Sequence, residues 1–592
     1  MRVGIIKTFA MVVGLVAGLA GTAKATIADA AHPDFSLTEV PFAAKYKTMG
    51  LNFLMDGRMV LAVIDYIGGG DVPLNPSAGT KVLLVTGYNS TNPSDIKVDE
   101  ISNTWLQLAG ATVANDKLYV SDRDGFYEIP ELDSPADITK NRKLIVKWPD
   151  EGTWNTLPFR AYMWHQWGFT PFFYKGNFYT SFSGSIRDGG PSDANATSHM
   201  TGAFLKWDLS GKLETYAGGL RSPNGTNVDP ATGDMFVCDN QGSWLPSSTF
   251  AQMKPGKFYG HRQSPPHAPN WAESLPYEPP TAWLPHGEVR ASPTQPVVIS
   301  KGKYAGDWLM GDINNPGLVR VALDKVDGTY NGAVFFFSKG TKNAAIQRLA
   351  WGPDGALYMA CVLTIAGNWP GGNDQGIFRL APKANATVFE MKAVRSLADG
   401  LEVEFTQPVD PTTVTKAAFT AVKQWQYIRQ AEYGQGRQPD QNLTVSDVEV
   451  SADNLRVHLK IAGLVKDRVV HFKHVGITSG GKAPWNDETW FTHNSVSTRA
   501  WSATVATREI VAKVNRSGDD VFCRKDSRHL LSVTVKASAP WTAVLVSPQG
   551  SVVARQSGIG FSQFQMDGGS HSGLHLVKVD MQSGSIVRKV ML

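Results

Sequence analysis

Gly219-Leu220-Arg221-Ser222-Pro223-Asn224-Gly225, followed by Asp229-Pro230-Ala231-Thr232-Gly233-Asp234-Met235-Phe236-Val237-Cys238-Asp239-Asn240-Gln241-Gly242, decides the fold. The first phrase is a polar turn carrying one arginine. The second is a Gly-closed tight turn that feeds a short apolar strand, and the strand ends in an Asp-Asn-Gln cluster. Weaker copies of this turn-and-strand unit recur through the first two thirds of the chain. They run over 50–61, 114–120, 167–179, 306–312 and 349–359, which with the opening phrase makes six. Each strand is about five residues long, and Asp-Gly and Asn-Asp turns are hairpin signals. The spacing of about 50–70 residues suits four strands plus loops, the size of a propeller blade. Helical periodicity is weak throughout this region.

Working outward, 392–497 changes character. Segments such as Leu401-Glu402-Val403-Glu404-Phe405 and Arg456-Val457-His458-Leu459-Lys460-Ile461 alternate apolar and polar residues, as half-buried sandwich strands do. Short strands return over 505–592. The expected fold class is therefore all-β: a six-bladed β-propeller over 26–385, then two β-sandwich domains over 386–497 and 498–592. The stretch 262–296 departs from the rhythm, holding nine Pro. It is expected to be a long inter-blade loop covering one face, because long ordered loops are often functional.

The bulk numbers agree with a large multi-domain protein. A chain of 592 residues exceeds the ~250–300 at which one core stops growing. A net charge of +4 is too small at this size to argue nucleic-acid binding. Seventeen Trp and 16 Tyr suit sugar or cofactor stacking as well as core packing. Residues 1–25 read as a signal peptide: Arg2 and Lys7, an apolar run from Thr8 to Ala20, and the small-residue cleavage pattern Ala23-Lys24-Ala25. No later stretch reaches ~18 apolar residues, so no transmembrane segment is expected and the mature protein should be exported. Cys238, Cys361 and Cys523 are odd in number and widely separated, and are expected to be buried single thiols.

Several residues carry candidate chemistry. His165, in Tyr162-Met163-Trp164-His165-Gln166-Trp167, is a candidate general base. Arg221 lies between Gly219 and Gly225, which allow close backbone approach, and could clamp a carboxylate or sugar oxyanion. Asp239 and Asn240 offer oxygen ligands suited to calcium, although such clusters also form plain turns. His286 and Glu288 bracket Gly287 and could serve acid/base work or hold a metal. Asp312, Arg320 and Arg348 are lesser candidates.

The chain also resembles a known family. Residues 40–383 are similar to the soluble glucose/sorbosone dehydrogenase type of six-bladed propeller, in a large secreted bacterial branch. The matching phrases include Trp164-His165-Gln166-Trp167-Gly168-Phe169, Gly219 to Gly225, Lys254-Pro255-Gly256-Lys257-Phe258-Tyr259-Gly260-His261, Trp283-Leu284-Pro285-His286-Gly287-Glu288 and Trp351-Gly352-Pro353-Asp354-Gly355. The 392–497 segment resembles the sandwich that follows the propeller in that branch. Residues 505–592 resemble a C-terminal type IX secretion sorting domain. The resemblance implies a sugar dehydrogenase using pyrroloquinoline quinone (PQQ), with calcium nearby and an external electron acceptor. His165 would take the proton from the sugar hydroxyl, Arg221 would face the cofactor, and Asn224, Asp312 and Arg348 would join it in the cofactor site. The sequence departs from the pattern in having Ser222 directly after the arginine, with Asn224 two residues later. It also reduces a two-arginine phrase to Gln347-Arg348. A non-catalytic glycan-binding propeller remains an alternative, as does a carbohydrate hydrolase or lyase using His165, Glu288 and Arg221.

Overall fold

The computed structural model describes residues 31–504 apart from 66–74, 91, 150–152, 155–156, 159–167, 185–199, 263–275, 316, 339–345, 363–374 and 420, together with the strands of 520–591. No α-helix occurs among the described residues, and no helix is long and apolar enough to cross a membrane.

Six four-stranded antiparallel blades follow one another. Blade 1 spans 47–105, blade 2 spans 110–147, blade 3 spans 168–218, blade 4 spans 223–284 and blade 5 spans 293–336. Blade 6 takes three strands from 346–382 and its outer strand from the N-terminus: Phe35–Glu39 pairs with Gly376–Pro382, Phe35 opposite Pro382. The inner strands Lys47–Phe53, Gly110–Ala114, Gly168–Tyr174, Pro223–Val228, Pro293–Val298 and Ile346–Trp351 each lie against the next, and the last lies against the first. The ring is closed, so the inner edge of each blade is short and shielded by its neighbours around the axis.

The apolar strands explain the closure. The second strand of each blade is buried at nearly every position, on both faces, and in most blades it is largely apolar. Alternation then sends successive side chains to different neighbours. In Met235–Asp239, Phe236 and Cys238 face the cluster shared with blade 5, while Met235 and Val237 face blade 3. In Leu357–Cys361, Leu357, Met359 and Cys361 pack toward blade 5, and Tyr358 and Ala360 toward blade 1. A separate buried cluster fills each of the six gaps between neighbouring blades. Cys238 and Cys361 are buried in these clusters and form no disulfide with each other; the Cys523 side chain lies outside the described residues.

The Pro-rich 262–296 is not wholly a loop. Ala282–Leu284 is the outer strand of blade 4, and Pro293–Val298 opens blade 5. Prolines are tolerated there because they flank an edge strand or begin one.

After the ring, Met391–Leu397, Gly400–Phe405, Val445–Val450 and Arg456–Ile461 form one sheet. Val422–Trp425, Gln441–Leu443, Arg468–Lys473 and Glu488–His493 form another, and the two share a buried cluster. The second sheet is continuous with the propeller: Glu488–His493 pairs with the outer strand of blade 5, Thr329–Phe336, with Val334 opposite Trp490. Farther on, a three-stranded and a four-stranded sheet share a core that includes Leu531, Val533, Leu545 and Val577.

Candidate functional site

In each blade the start of the inner strand pairs with the end of the second strand. Pro223 lies opposite Asp239, Pro293 opposite Asp312, and Gly110 opposite Ser121. The loops that enter the inner strands therefore gather on one face of the ring, called here the upper face. Arg221, Asn224, Asp239, Asn240, His286, Glu288, Asp312 and Arg348 all belong to loops or strand ends of this face. His165 lies outside the described residues, three positions ahead of the inner strand of blade 3.

At the ring axis, Arg348 is fully buried. Its Nε donates to the Met49 carbonyl at 2.8 Å and its Nη2 to the Ala109 carbonyl at 2.8 Å. Its Nη1 donates to the carbonyls of Gln347 and Asn224 at 2.7 and 3.1 Å. One guanidinium thus joins blades 6, 1 and 4 to the segment entering blade 2. Asn224 and Gln347 exchange two amide hydrogen bonds beside it, at 3.2 and 3.0 Å. Burial pushes the Arg348 pKa down to about 9, and among the described residues no carboxylate offsets the loss of hydration.

A second network lies outward from the axis. Asp239 is buried and accepts the backbone N–H of Arg221 at 2.9 Å, Ser222 at 2.7 Å and Asn240 at 2.9 Å. Asn240 donates to Ser292 Oγ at 3.1 Å, and the Ser292 N–H donates to Asp312 at 2.8 Å. Asp312 also accepts the N–H groups of Ala291, Asn314 and Asn315. Burial raises the Asp239 pKa to about 6, against the opposing pull of those N–H donors and of the Arg221 and Arg429 charges. Asp312 is raised by burial too, opposed first by Arg290. Asp122 repeats the device in blade 2, accepting the N–H of Leu106 and Asp124, and is raised by burial to about 6.

These carboxylates act first as caps for the turns that start each inner strand. The repeat is visible in hindsight. Leu220-Arg221-Ser222-Pro223 with Asp239 parallels Val289-Arg290-Ala291-Ser292-Pro293 with Asp312. Arg290, absent from the sequence-derived site, is buried and donates to the carbonyls of Val289 and Gly317.

Arg221 is buried near the rim. Its Nη1 donates to the Gln241 carbonyl at 2.6 Å, and its guanidinium lies 5.1 Å from the centre of the Tyr433 ring. Gly242 makes room for it: a Cβ there would come within 1.7 Å of Arg221 Nε. His286 is exposed, and its backbone N–H donates to Ser247 Oγ at 2.9 Å. Glu288 forms an ion pair with Arg437 and accepts the Trp490 indole N–H at 3.3 Å. Glu288 thereby cross-links blade 5's approach and the sheets that follow the ring. Arg320 is likewise structural. Its guanidinium pairs with Asp307 and donates to the Met391 and Lys392 carbonyls, away from the upper face.

The residues assigned to a quinone and calcium do not fit those groups as a set. The polar groups of Arg348 and Asn224 are engaged with each other, with Gln347 and with inner-strand carbonyls. Asp239 meets three N–H donors, and among the described residues no group of three or more His, Cys, Asp or Glu side chains could hold a metal.

No protein-family model matches the chain, and no curated protein matches it. Among solved structures it is similar to an oxidoreductase (glucose dehydrogenase) of Thermus thermophilus, at 16% identity and a TM-score of 0.41, over 58% of this chain and 99% of that one. It is also similar to the soluble aldose sugar dehydrogenase of Escherichia coli in its apo-form, at 12% identity and 0.37, over 59% and 100%. A gluconolactonase of Xanthomonas campestris gives 13% identity and 0.35, over 60% and 91%.

Proposed function

We propose that the protein is an exported carbohydrate oxidoreductase whose sugar lies on the upper face beside Arg221. The observation that carries this reading is the convergence of six inner-strand entrances on one polar face, with a buried guanidinium held under an aromatic ring at its rim. Such a partly desolvated set of polar groups with an aromatic wall is what small-molecule sites are built from. In this reading His165 is the base. An imidazole near neutral pKa can take the proton of a sugar hydroxyl while the hydride on the same carbon passes to an external two-electron acceptor, leaving the carbonyl. Arg221 orients the sugar through its guanidinium. Export rests on residues 1–25, with the mature chain beginning near Thr26, and the type IX sorting role rests on the strands of 505–592.

A non-catalytic glycan-binding propeller is the second reading, and one observation favours it: the axial groups assigned to the cofactor are already engaged. Dye-linked oxidation of a sugar panel, with and without added PQQ and calcium, separates the two. Turnover abolished by His165→Ala with thermal stability within about 1 kcal/mol supports the oxidoreductase. Sugar binding without turnover under every condition supports the binder.

A further inference from the structure

Between Val422–Trp425 and Gln441–Leu443, the sheet that follows the ring sends out a long loop, 426–440, which lies over the blade 4 side of the upper face. The Trp244 N–H donates to the Gln430 carbonyl at 2.8 Å, and the Gly434 N–H donates to the Gly242 carbonyl at 3.1 Å. Arg429 donates to the Trp244 carbonyl at 3.1 Å and lies 5.0 Å from the Tyr277 ring centre and 5.3 Å from that of Trp283. Its burial lowers its pKa to about 10. Arg437 reaches Glu288. The loop is therefore a strap fastened at four places.

Two features of the strapped region exceed what fastening requires. Trp244 sits at φ +60, a left-handed conformation that is costly for a bulky side chain, and strain of this kind collects at ligand sites. The strap bonds both its N–H and its carbonyl, which holds it there. Tyr433, at the tip, stands over Arg221 yet is 37% exposed. A ring fixed on one side by a guanidinium and open to solvent is poorly explained as core. Its open face is well placed to stack on the apolar face of a sugar ring, while Arg221 holds the other face.

We propose that the strap completes the propeller's sugar site and that Tyr433 is a specificity-determining residue, so that the sheets after the ring belong to the binding machinery. This inference rests on the carbohydrate reading above. The test is isothermal titration of the mature full-length protein with cellotetraose, xylotetraose and tetragalacturonate, alongside thermal unfolding. The wild type is expected to bind at least one of them. Tyr433→Ala should weaken that binding tenfold or more with an unchanged thermal midpoint, and Tyr433→Phe, which keeps the ring, should recover most of the loss. If alanine lowers the midpoint, Tyr433→Leu replaces it, being apolar but without a π face. Binding by Tyr433→Ala as tight as wild type, or no recovery with Phe, overturns the role of Tyr433 alone. A wild type that binds none of the three overturns the carbohydrate reading itself.

Discussion

Arg348 and Arg221 are both buried on the upper face, yet their surroundings differ. Arg348 sits at the axis and donates to backbone carbonyls on three inner strands and to that of Ala109, just ahead of a fourth. It binds the ring to itself, as a central bolt would. Arg221 sits at the rim, reaches the Gln241 carbonyl, and is faced by a partly exposed tyrosine. The contrast also explains why the axial residues make a poor cofactor clamp. A ligand there would have to displace bonds that hold the blades together.

The largest effect that sharpens this contrast is on stability. Arg348→Met would leave the Met49, Ala109 and Asn224 carbonyls buried without a donor, at ~1–3 kcal/mol each. A loss on the order of 4 kcal/mol in denaturant unfolding is expected, against about 1–2 kcal/mol for Arg221→Met. Equal losses would erase the distinction between axis and rim.

Next comes the pH dependence of the rim. Asp239 has a folded pKa of about 6, above its ordinary value of 3.8. Its folded form therefore takes up a proton before the unfolded chain does. The stability this contributes is complete below about 3.8 and is lost as pH rises through about 6. Relative to Asp239→Asn, the wild type should lose about 2 kcal/mol between pH 4 and 7. Parallel stability curves for the two proteins would show that Asp239 is not held in the desolvated state described.

A smaller effect concerns Gly242. Gly242→Ala drives a methyl group into Arg221. Titration should show sugar affinity falling about tenfold, roughly 1.4 kcal/mol, with the axis network intact. The smallest effect belongs to the strap's outer fastening. Arg437 and Glu288 are each about a third exposed, so Arg437→Ala should change unfolding stability by less than about 1 kcal/mol. A larger change would mean that the strap is held mainly by this ion pair.

Much of the ring was legible in the sequence, because a blade's inner hairpin is a local object. Each of the six turn-and-strand phrases falls within a different blade, including the degenerate Trp308–Asp312. The closure was not legible. Phe35–Glu39 carries no turn signal, and its partner strand begins at Gly376, more than 300 residues away. The same holds for the strand pairing that fuses Glu488–His493 to blade 5. At the site, Arg221 could be singled out from its Gly-flanked turn. For Asp239 both a turn cap and a metal ligand stayed open, because which of the two a carboxylate does depends on which N–H groups the fold brings to it. Trp244, Arg429 and Tyr433 were missed because their signal is purely tertiary: a loop more than 170 residues beyond blade 4's turn returns to cover it. Arg290 could have been found by aligning Arg-Ala-Ser-Pro with Arg-Ser-Pro.

The most direct measurement is a crystal structure of the mature protein soaked with whichever tetrasaccharide binds best. The sugar should lie at the rim with one ring against Tyr433 and an oxygen on Arg221, while the Arg348 bonds to Met49, Ala109 and Asn224 stay unchanged. A sugar seated on the axis with Arg348 turned toward it, or bound away from the upper face, would contradict the account.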